Sequence, residues 1–204
     1  MPLWLSQLSW SHECCITISM KIIFAHGYTA SSTTDWYPQI TAELRKLKIA
    51  YALPNLPGDT HPHAAEWIEL LHAEIEKAKE PPILVGHSLG TRAALLTLEK
   101  YPTKLKAIVL VAAFANKLEN AKRKDEAYPD FFDHLIDLEK IKEVTPTRVI
   151  LHSMDDDSIP YRHSQELTRD LGAHLLTYNG KGHFDQPENY IYILDVIKNI
   201  LNIK

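Results

Sequence analysis

The stretch that most constrains the fold is an apolar run at residues 83–85 that leads into Gly86-His87-Ser88-Leu89-Gly90 and then a helical pattern over residues 91–101. Glycines two residues before and two residues after the serine allow a sharp turn, because a Cβ at either place crowds the neighbouring backbone. Such a turn exposes the serine hydroxyl and directs the first amides of the helix towards whatever the hydroxyl attacks. The stretch therefore predicts a buried strand, a strained turn with Ser88 at its apex and a buried helix. The alternative is a glycine-bounded turn with an idle serine.

Short apolar runs alternate with helical patterns along the rest of the chain. The predicted strands cover residues 21–27, 49–53, 83–85, 107–113, 148–152 and 174–178. The predicted helices cover residues 36–48, a segment from Pro62 at its first position to the proline pair 81–82, and residues 91–101, 131–141, 161–171 and 187–201. Strands that alternate with helices predict an α/β fold, in which a parallel sheet has helices on both faces.

Polar groups that suit nucleophilic catalysis follow three of these strands. Ser88 follows the strand at 83–85, the aspartate run 155–157 follows the strand at 148–152, and His183 follows the strand at 174–178. Loops beyond the carboxyl ends of parallel strands meet at one edge of the sheet. A serine hydroxyl needs a base beside it, and a histidine base needs a carboxylate that orients its ring. The chain order Ser, Asp, His therefore predicts Ser88 as the nucleophile, His183 as the base and one of the three aspartates as its partner.

Simpler roles remain open for the members of this set. The run 155–157 is acidic and expected to face solvent, and the residues alone do not choose among its members. His183 also suits a helix-capping or surface position. His87, beside the serine, is expected to shape the turn rather than to act as the base.

Composition excludes several other classes of function. The 204 residues fit one domain, and the formal net charge of −4 with no basic stripe argues against a nucleic-acid partner. No apolar run approaches the roughly 20 residues of a membrane helix, so no membrane span is expected. Cys14 and Cys15 are adjacent and suggest no disulfide framework, which favours a cytoplasmic protein. His61 and His63, near Asp59, do not follow a recognised ligand spacing, so neither a metal nor another cofactor is expected.

Residues 1–19 lack both the basic region and the compact apolar region of a secretory signal. The first convincing strand begins directly after Met20. We therefore expect residues 1–19 to be a leader outside the fold, with natural translation starting at Met20, and residues 20–204 to form the domain. A genuine extension that packs on the surface is the alternative.

Over residues 20–203 the chain resembles the small alpha/beta-hydrolases of the retinoblastoma-binding-protein-9 type, a family of compact serine hydrolases. The segments that carry the resemblance are the strand into His26-Gly27, Trp36, Asn55-Leu56-Pro57 with Trp67 downstream, Gly86-His87-Ser88-Leu89-Gly90, Asp155-Asp156-Asp157-Ser158-Ile159-Pro160 and Gly182-His183-Phe184. The resemblance implies an alpha/beta-hydrolase fold with a six-stranded, mostly parallel sheet and no large cap domain. It also implies the triad Ser88, Asp156 and His183, because in the family the aspartate stands four residues before the proline.

The resemblance further implies two backbone donors for an oxyanion. The first is the amide of Leu89, and the second is the amide of Tyr28 or of Gly27. The loop at 28–32 lacks the glycines that some relatives carry, which leaves the identity of the second donor open.

These observations predict a serine hydrolase that cleaves carboxylic esters or thioesters of small acyl groups through an acyl-enzyme. A non-catalytic binding protein on a hydrolase scaffold is the alternative from another class, although such a scaffold tends to lose part of the triad. A lyase or a transferase that uses the same triad is a second alternative. The charged stretch 116–143 occupies the place where hydrolases of this fold insert a lid. The sequence does not specify the oligomeric state.

Overall fold

A computed structural model describes residues 20–118 and 128–203. Its strands are β1 Lys21–Ala25, β2 Ala50–Ala52, β3 Ile83–His87, β4 Ala107–Val111, β5 Thr147–Ser153 and β6 His174–Tyr178. Its α-helices are α1 Tyr37–Lys46, α2 Ala64–Glu76, α3 Leu89–Lys100, α4 Leu138–Val144, α5 Tyr161–Leu171 and α6 Tyr190–Leu201. Short 3₁₀ turns lie at Pro129–Phe132 and Pro187–Asn189. Each predicted strand is therefore confirmed in existence and type.

In the described ranges the six strands form one sheet with the order β2-β1-β3-β4-β5-β6, and every neighbouring pair is parallel. Strand β3 lies in the interior of this sheet, between β1 and β4. Parallel strands need crossover connections, and the helices between them provide these. The carboxyl ends of β3, β5 and β6 consequently lie along the same edge, where the loops after them meet.

Successive residues of the central strands point to opposite faces of the sheet. In β4, Ile108 and Leu110 pack in one core cluster, whereas Val109 and Val111 pack in the other. The first cluster includes side chains of α2, α3, α4 and α5, and the second includes side chains of α1 and α6. Both faces of the sheet are thus covered, which is why the strand sequences do not alternate between apolar and polar residues. Helices on both faces were predicted, and the structure confirms them.

Several sequence-based boundaries are wrong. The last helix does not begin at Pro187, because Pro187–Asn189 is a 3₁₀ turn and α6 begins at Tyr190. Pro62 is not the first residue of a helix, because α2 begins at Ala64 with His63 as its N-cap. The helix predicted over 131–141 is divided: Pro129–Phe132 is a 3₁₀ turn, and α4 begins only at Leu138. The Asp137 side chain accepts a hydrogen bond from the Glu139 amide and so caps the start of α4.

The predicted leader at 1–19 and the part of the charged stretch at 119–127 lie outside the described residues. Within the ranges 20–118 and 128–203, no helix combines the length and the apolar character that a membrane crossing requires.

Candidate active site

The turn after β3 has the strained backbone that the glycine spacing predicts. Ser88 has φ 53° and ψ −123°, a conformation that is rare for a residue with a side chain. A Cβ on Gly86 would lie 2.7 Å from the Gly90 carbonyl oxygen, and one on Gly90 would lie 2.1 Å from the Ala25 carbonyl oxygen. Neither position has room for any side chain, so the glycines let α3 approach β1 and β3 closely. The chain can therefore turn within one residue and place Ser88 at the end of the sheet.

A continuous chain of hydrogen bonds joins Ser88, His183 and Asp156. The distance from Ser88 Oγ to His183 Nε2 is 2.9 Å, and that from His183 Nδ1 to Asp156 Oδ2 is also 2.9 Å. Ser88 follows β3, Asp156 follows β5 and His183 follows β6. The sequence-predicted side chains thus come together, with Asp156 rather than its two neighbours in contact with the imidazole. Because its Nδ1–H donates to a carboxylate, His183 presents an unprotonated Nε2 to the serine hydroxyl.

Asp156 is a buried carboxylate that accepts several hydrogen bonds. Its side chain has no exposed surface, and Oδ1 accepts from the amides of Ser158 and Ile159, each at 2.8 Å. Burial by itself raises the pKa of this carboxyl, but the hydrogen bond and charge of His183 together with the Ile159 amide hold the pKa below its ordinary value. The carboxylate is therefore ionised in the neutral range and fixes the ring of His183.

A second imidazole lies on the other side of Asp156. His152 is fully buried, and its Nε2 lies 3.0 Å from the Ile159 carbonyl oxygen and 3.4 Å from Asp156 Oδ2. Its Nδ1 lies 2.5 Å from Ser164 Oγ, which in turn donates to the Ala113 carbonyl oxygen at 2.9 Å. Burial lowers the pKa of His152, which favours a neutral ring. These contacts connect the carboxylate to α5 and to the loop after β4.

The loop that carries His183 is fixed from three directions. Asp155 Oδ1 accepts from the amides of Gly180 and Lys181, at 2.8 and 3.3 Å. His87 Nε2–H donates to the His183 carbonyl oxygen at 2.8 Å. The Phe184 side chain, which directly follows His183, is fully buried beside Tyr178. His87 and Asp155 thus position the histidine loop; His87 contacts the loop backbone rather than the serine hydroxyl.

A pocket of about 260 Å³ opens beside Ser88. It is lined by residues 27–30, Thr34, Asp35, His87, Ser88, His183 and Asp185. The backbone amides of Gly27, Tyr28 and Leu89 donate no hydrogen bond to any group in the described ranges. Leu89 is the first residue of α3, so its amide lies at the positive end of a helix dipole. Free amides on both sides of the serine suit the stabilisation of an oxyanion.

Two side chains beside the serine have strongly shifted pKa values. Burial, together with the charge of Asp185, raises the pKa of Asp35 to about 6, although the charge of His183 opposes this shift. Burial lowers the pKa of His87 to about 3, so this ring is neutral. Nothing in the sequence pattern identified Asp35, which lies in a polar loop before α1. His152 carried a signal that the sequence reasoning missed, since it ends a buried strand just before the aspartate run.

His26 has a structural role at the same edge of the sheet. Its Nε2 accepts from the Leu56 amide at 2.8 Å, and its Nδ1–H donates to the Gly27 carbonyl oxygen at 2.9 Å. These bonds join the loop after β1 to the loop after β2. Among the described residues, no three His, Cys, Asp or Glu side chains are placed to bind a metal ion.

Comparison with protein families gives a match to the serine hydrolase family over residues 22–197, most of the chain. The chain belongs to the serine hydrolase family. One relative is YdeN of Bacillus subtilis (strain 168), which is 31% identical to this serine hydrolase over 175 residues, or 85% of this chain and 90% of YdeN. Another is the serine hydrolase RBBP9 of Rattus norvegicus, 26% identical over 181 residues, or 88% of this chain and 94% of RBBP9. These matches confirm the predicted resemblance and cover nearly the whole length of each relative.

Solved structures agree with this assignment. The crystal structure of the Bacillus subtilis ydeN gene product superposes on this serine hydrolase with a TM-score of 0.81 and 28% identity, covering 90% of this chain and 99% of that one. Mouse alpha/beta hydrolase domain-containing protein 10 superposes with a TM-score of 0.67 and 18% identity, covering 89% of both chains. The latter likeness concerns the fold alone. Together they confirm the alpha/beta-hydrolase fold in a small form.

Proposed function

We propose that this serine hydrolase cleaves carboxylic esters or thioesters of small acyl groups, with Ser88 as nucleophile, His183 as general base and Asp156 as the carboxylate that orients it. The observation that carries the proposal is the hydrogen-bonded chain from Ser88 Oγ through both ring nitrogens of His183 to the buried Asp156. Each link has the length of a normal hydrogen bond. The proton that leaves the serine therefore has a defined acceptor.

In the proposed reaction, Ser88 Oγ attacks the carbonyl carbon while His183 Nε2 takes the hydroxyl proton. The imidazolium that forms is stabilised by Asp156, and the oxyanion accepts hydrogen bonds from the amide of Leu89 and from that of Tyr28 or Gly27. His183 then donates its proton to the departing alcohol or thiol, which leaves an acyl-enzyme on Ser88. In the second half of the cycle His183 takes a proton from water while the water oxygen attacks the acyl carbon. The bond from that carbon to Ser88 Oγ then breaks, the acid leaves, and His183 returns the proton to Ser88 Oγ.

The dimensions of the pocket support small substrates. A volume of about 260 Å³ lies just below the range of roughly 300 to 1,000 Å³ that is typical of small-molecule sites. The lining is mostly polar, with hydroxyl, imidazole and carboxylate groups around the serine. A long acyl chain has little apolar surface to contact there.

The Ser88→Ala variant tests this proposal. We expect it to fold like the parent, to lose covalent labelling by a fluorophosphonate probe and to lose turnover of 4-nitrophenyl acetate by a factor on the order of 10³ or more. The matched control is Ser32→Ala, which removes a hydroxyl from the loop after β1 at a position outside the lining of the pocket. An alanine variant at position 88 that turns over the ester at the parent rate refutes the role of Ser88 as nucleophile, whereas a parent protein that turns over no ester favours a binding role for the scaffold.

A transferase that uses the same residues is distinguished by its products. The parent enzyme is incubated with the ester in ¹⁸O-labelled water, with and without an added alcohol. Incorporation of ¹⁸O into the released acid supports hydrolysis, whereas transfer of most acyl groups to the alcohol contradicts it.

A further inference from the structure

The pocket beside Ser88 carries negative charge without a cationic side chain to neutralise it. Asp35 and Asp185 both line it, and no lysine or arginine does. In the described ranges Asp35 has no lysine or arginine partner, and its nearest basic atom is His87 Nδ1 at 3.8 Å, beyond hydrogen-bond length. The Asp35 side chain is about 20% exposed, so water compensates its charge only in part.

A buried nitrogen of His87 provides an independent observation. Only 3% of the His87 side chain is exposed, and Nε2–H already donates to the His183 carbonyl oxygen. Nδ1 therefore carries a lone pair, and it has no hydrogen-bond partner among the described residues. Its neighbours belong to the pocket wall: Nδ1 lies 3.8 Å from Asp35 Oδ2 and 3.6 Å from where a Cβ on Gly27 would stand, and His87, Gly27 and Asp35 all line the pocket. Leaving a buried acceptor unpaired costs free energy, so an N–H donor at this place is favoured.

The Asp35 carboxylate and His87 Nδ1 can both be satisfied by the same kind of ligand. A group that is positively charged and carries an N–H satisfies a carboxylate and a neutral imidazole nitrogen together, because both accept and neither donates. The pKa of Asp35, raised by burial and by the charge of Asp185, falls when a cation binds nearby. A neutral alkyl group in the same place leaves both acceptors unsatisfied.

We propose that the substrates of this hydrolase carry a protonated amine close to the scissile ester, which binds between Asp35 and His87 Nδ1 at the wall of the Ser88 pocket. This inference rests on the proposed ester hydrolysis and adds the substrate class. Asp185 contributes a second, more exposed negative charge on the same wall. Esters that carry a carboxylate in this place are disfavoured by both aspartates.

Two isosteric esters test the inference. 2-(Dimethylamino)ethyl acetate and 3-methylbutyl acetate differ only in an NH⁺ that replaces a CH, and the amine is mostly protonated at pH 7. The measured quantity is the ratio of kcat/KM for the amino ester to kcat/KM for the neutral ester. Because an ammonium group also makes the alcohol a better leaving group, the ratio is compared between the parent and the Asp35→Asn variant. Asparagine tolerates the left-handed backbone at this position, where φ is 51°.

The parent ratio is expected to exceed that of Asp35→Asn by about tenfold, the effect of one partly screened charge-assisted contact. Asp185→Asn is expected to reduce the ratio less, because that carboxylate is exposed. Asp195→Asn is the matched control: it removes the same charge from the exposed surface of α6, away from the pocket, and leaves the ratio unchanged.

The outcomes separate this inference from the proposed function. Turnover of 3-methylbutyl acetate or of 4-nitrophenyl acetate by the parent, together with a ratio that Asp35→Asn lowers, supports the inference. Turnover of the neutral esters with equal ratios in the parent and Asp35→Asn overturns it and leaves ester hydrolysis standing. Absence of turnover of every ester overturns the proposed function and the inference with it.

Discussion

Three consecutive aspartates after β5 have three different environments. Asp156 is buried against His183. Asp155 does not contact the imidazole, and its Oδ1 accepts hydrogen bonds from two amides of the loop that carries His183. Asp157 is exposed, and its Oδ1 lies 3.4 Å from Ser158 Oγ. Successive side chains leave the strand end in different directions, so a one-residue change of position alters the role of the carboxylate completely.

The Asp156→Asn, Asp155→Asn and Asp157→Asn variants are expected to lose activity in that order. Asparagine at 156 keeps the shape but favours the wrong tautomer of His183, which costs up to about 10⁴ in kcat. At position 155, asparagine still accepts from the loop amides with a neutral oxygen, and we expect a loss of about tenfold because charge-assisted bonds are roughly twice as strong. The Asp157→Asn variant is expected to change turnover by less than about threefold, because the side chain is exposed. The rates of 4-nitrophenyl acetate hydrolysis by the three variants test this order, and a severe loss at 155 or 157 with an active 156 variant contradicts it.

Among the elements, α3 does more than present the serine. Arg92, one turn after Ser88, is buried; its Nε–H donates to the Phe131 carbonyl oxygen and its Nη2–H to the His134 carbonyl oxygen, the latter at 2.9 Å. Near the end of the helix, Glu99 accepts from the Asp137 amide at 2.6 Å and contacts the His134 ring at the same distance. The backbone of the segment 128–137 is thus attached to the side chains of Arg92 and Glu99 on α3.

Replacing Arg92 with methionine is expected to detach this segment. Methionine fills similar volume but leaves two carbonyl oxygens without their charged donor, and we expect a loss of about 3 kcal/mol in the free energy of unfolding. Amide hydrogen exchange over residues 128–137 should accelerate more than exchange in α3 itself. Lys100→Met, which removes a cation from the exposed end of the same helix, is the control and should change neither quantity appreciably. Unchanged exchange in the segment refutes its attachment through Arg92.

The same contacts explain where sequence reasoning failed. The strands were predictable because strands that are buried on both faces consist almost entirely of apolar residues. The turn at Ser88 was predictable because steric contact with Ala25 and with the helix backbone requires glycine at positions 86 and 90. The helix expected at 131–141 is interrupted because its carbonyl groups bind Arg92, some forty residues earlier, rather than amides of the next turn. A contact of that range leaves no periodic pattern. Asp35 was missed for the same reason, since its surroundings come from His87 at the end of β3 and from the single loop that carries His183 and Asp185.

At the scale of the whole molecule, acid sensitivity follows from histidines that are buried as neutral rings. Burial lowers the pKa of His26, His87 and His152. In the unfolded chain these side chains bind a proton near pH 6.5, so below that value the unfolded state holds more protons than the folded state. Their contribution to stability is therefore complete above pH 6.5 and is lost as the pH falls. Between its ordinary pKa and about 6, Asp35 has the opposite effect on the free energy of unfolding, because it binds a proton more readily in the folded state.

The free energy of unfolding is expected to decrease between pH 7.5 and pH 5. The folded pKa of His87 is about 3, so this residue alone accounts for about 2 kcal/mol of the decrease between pH 6.5 and pH 5. His87→Gln, whose amide can still donate to the His183 carbonyl oxygen, should weaken the pH dependence by about this amount. His61→Gln, which replaces an exposed imidazole, should leave it unaltered. Urea denaturation of the three proteins at both pH values measures the difference, and an equal decrease in all three rules out His87 as a source.

The position of β6 at the edge of the sheet has a consequence for biosynthesis. His183 follows Ser88 by 95 residues and belongs to the loop after β6, the last strand in the described residues. At ribosomal rates of about 5 to 20 residues per second, Ser88 is synthesised roughly 5 to 20 s before the histidine proposed as its base. On the proposed mechanism, the nascent chain in that interval has a serine hydroxyl without its proton acceptor, so we expect activated esters not to acylate it appreciably. If His183 is the base as proposed, a chain that ends before β6 is expected neither to react with substrate nor to retain it covalently, and reactivity towards a fluorophosphonate probe marks chains that extend past His183.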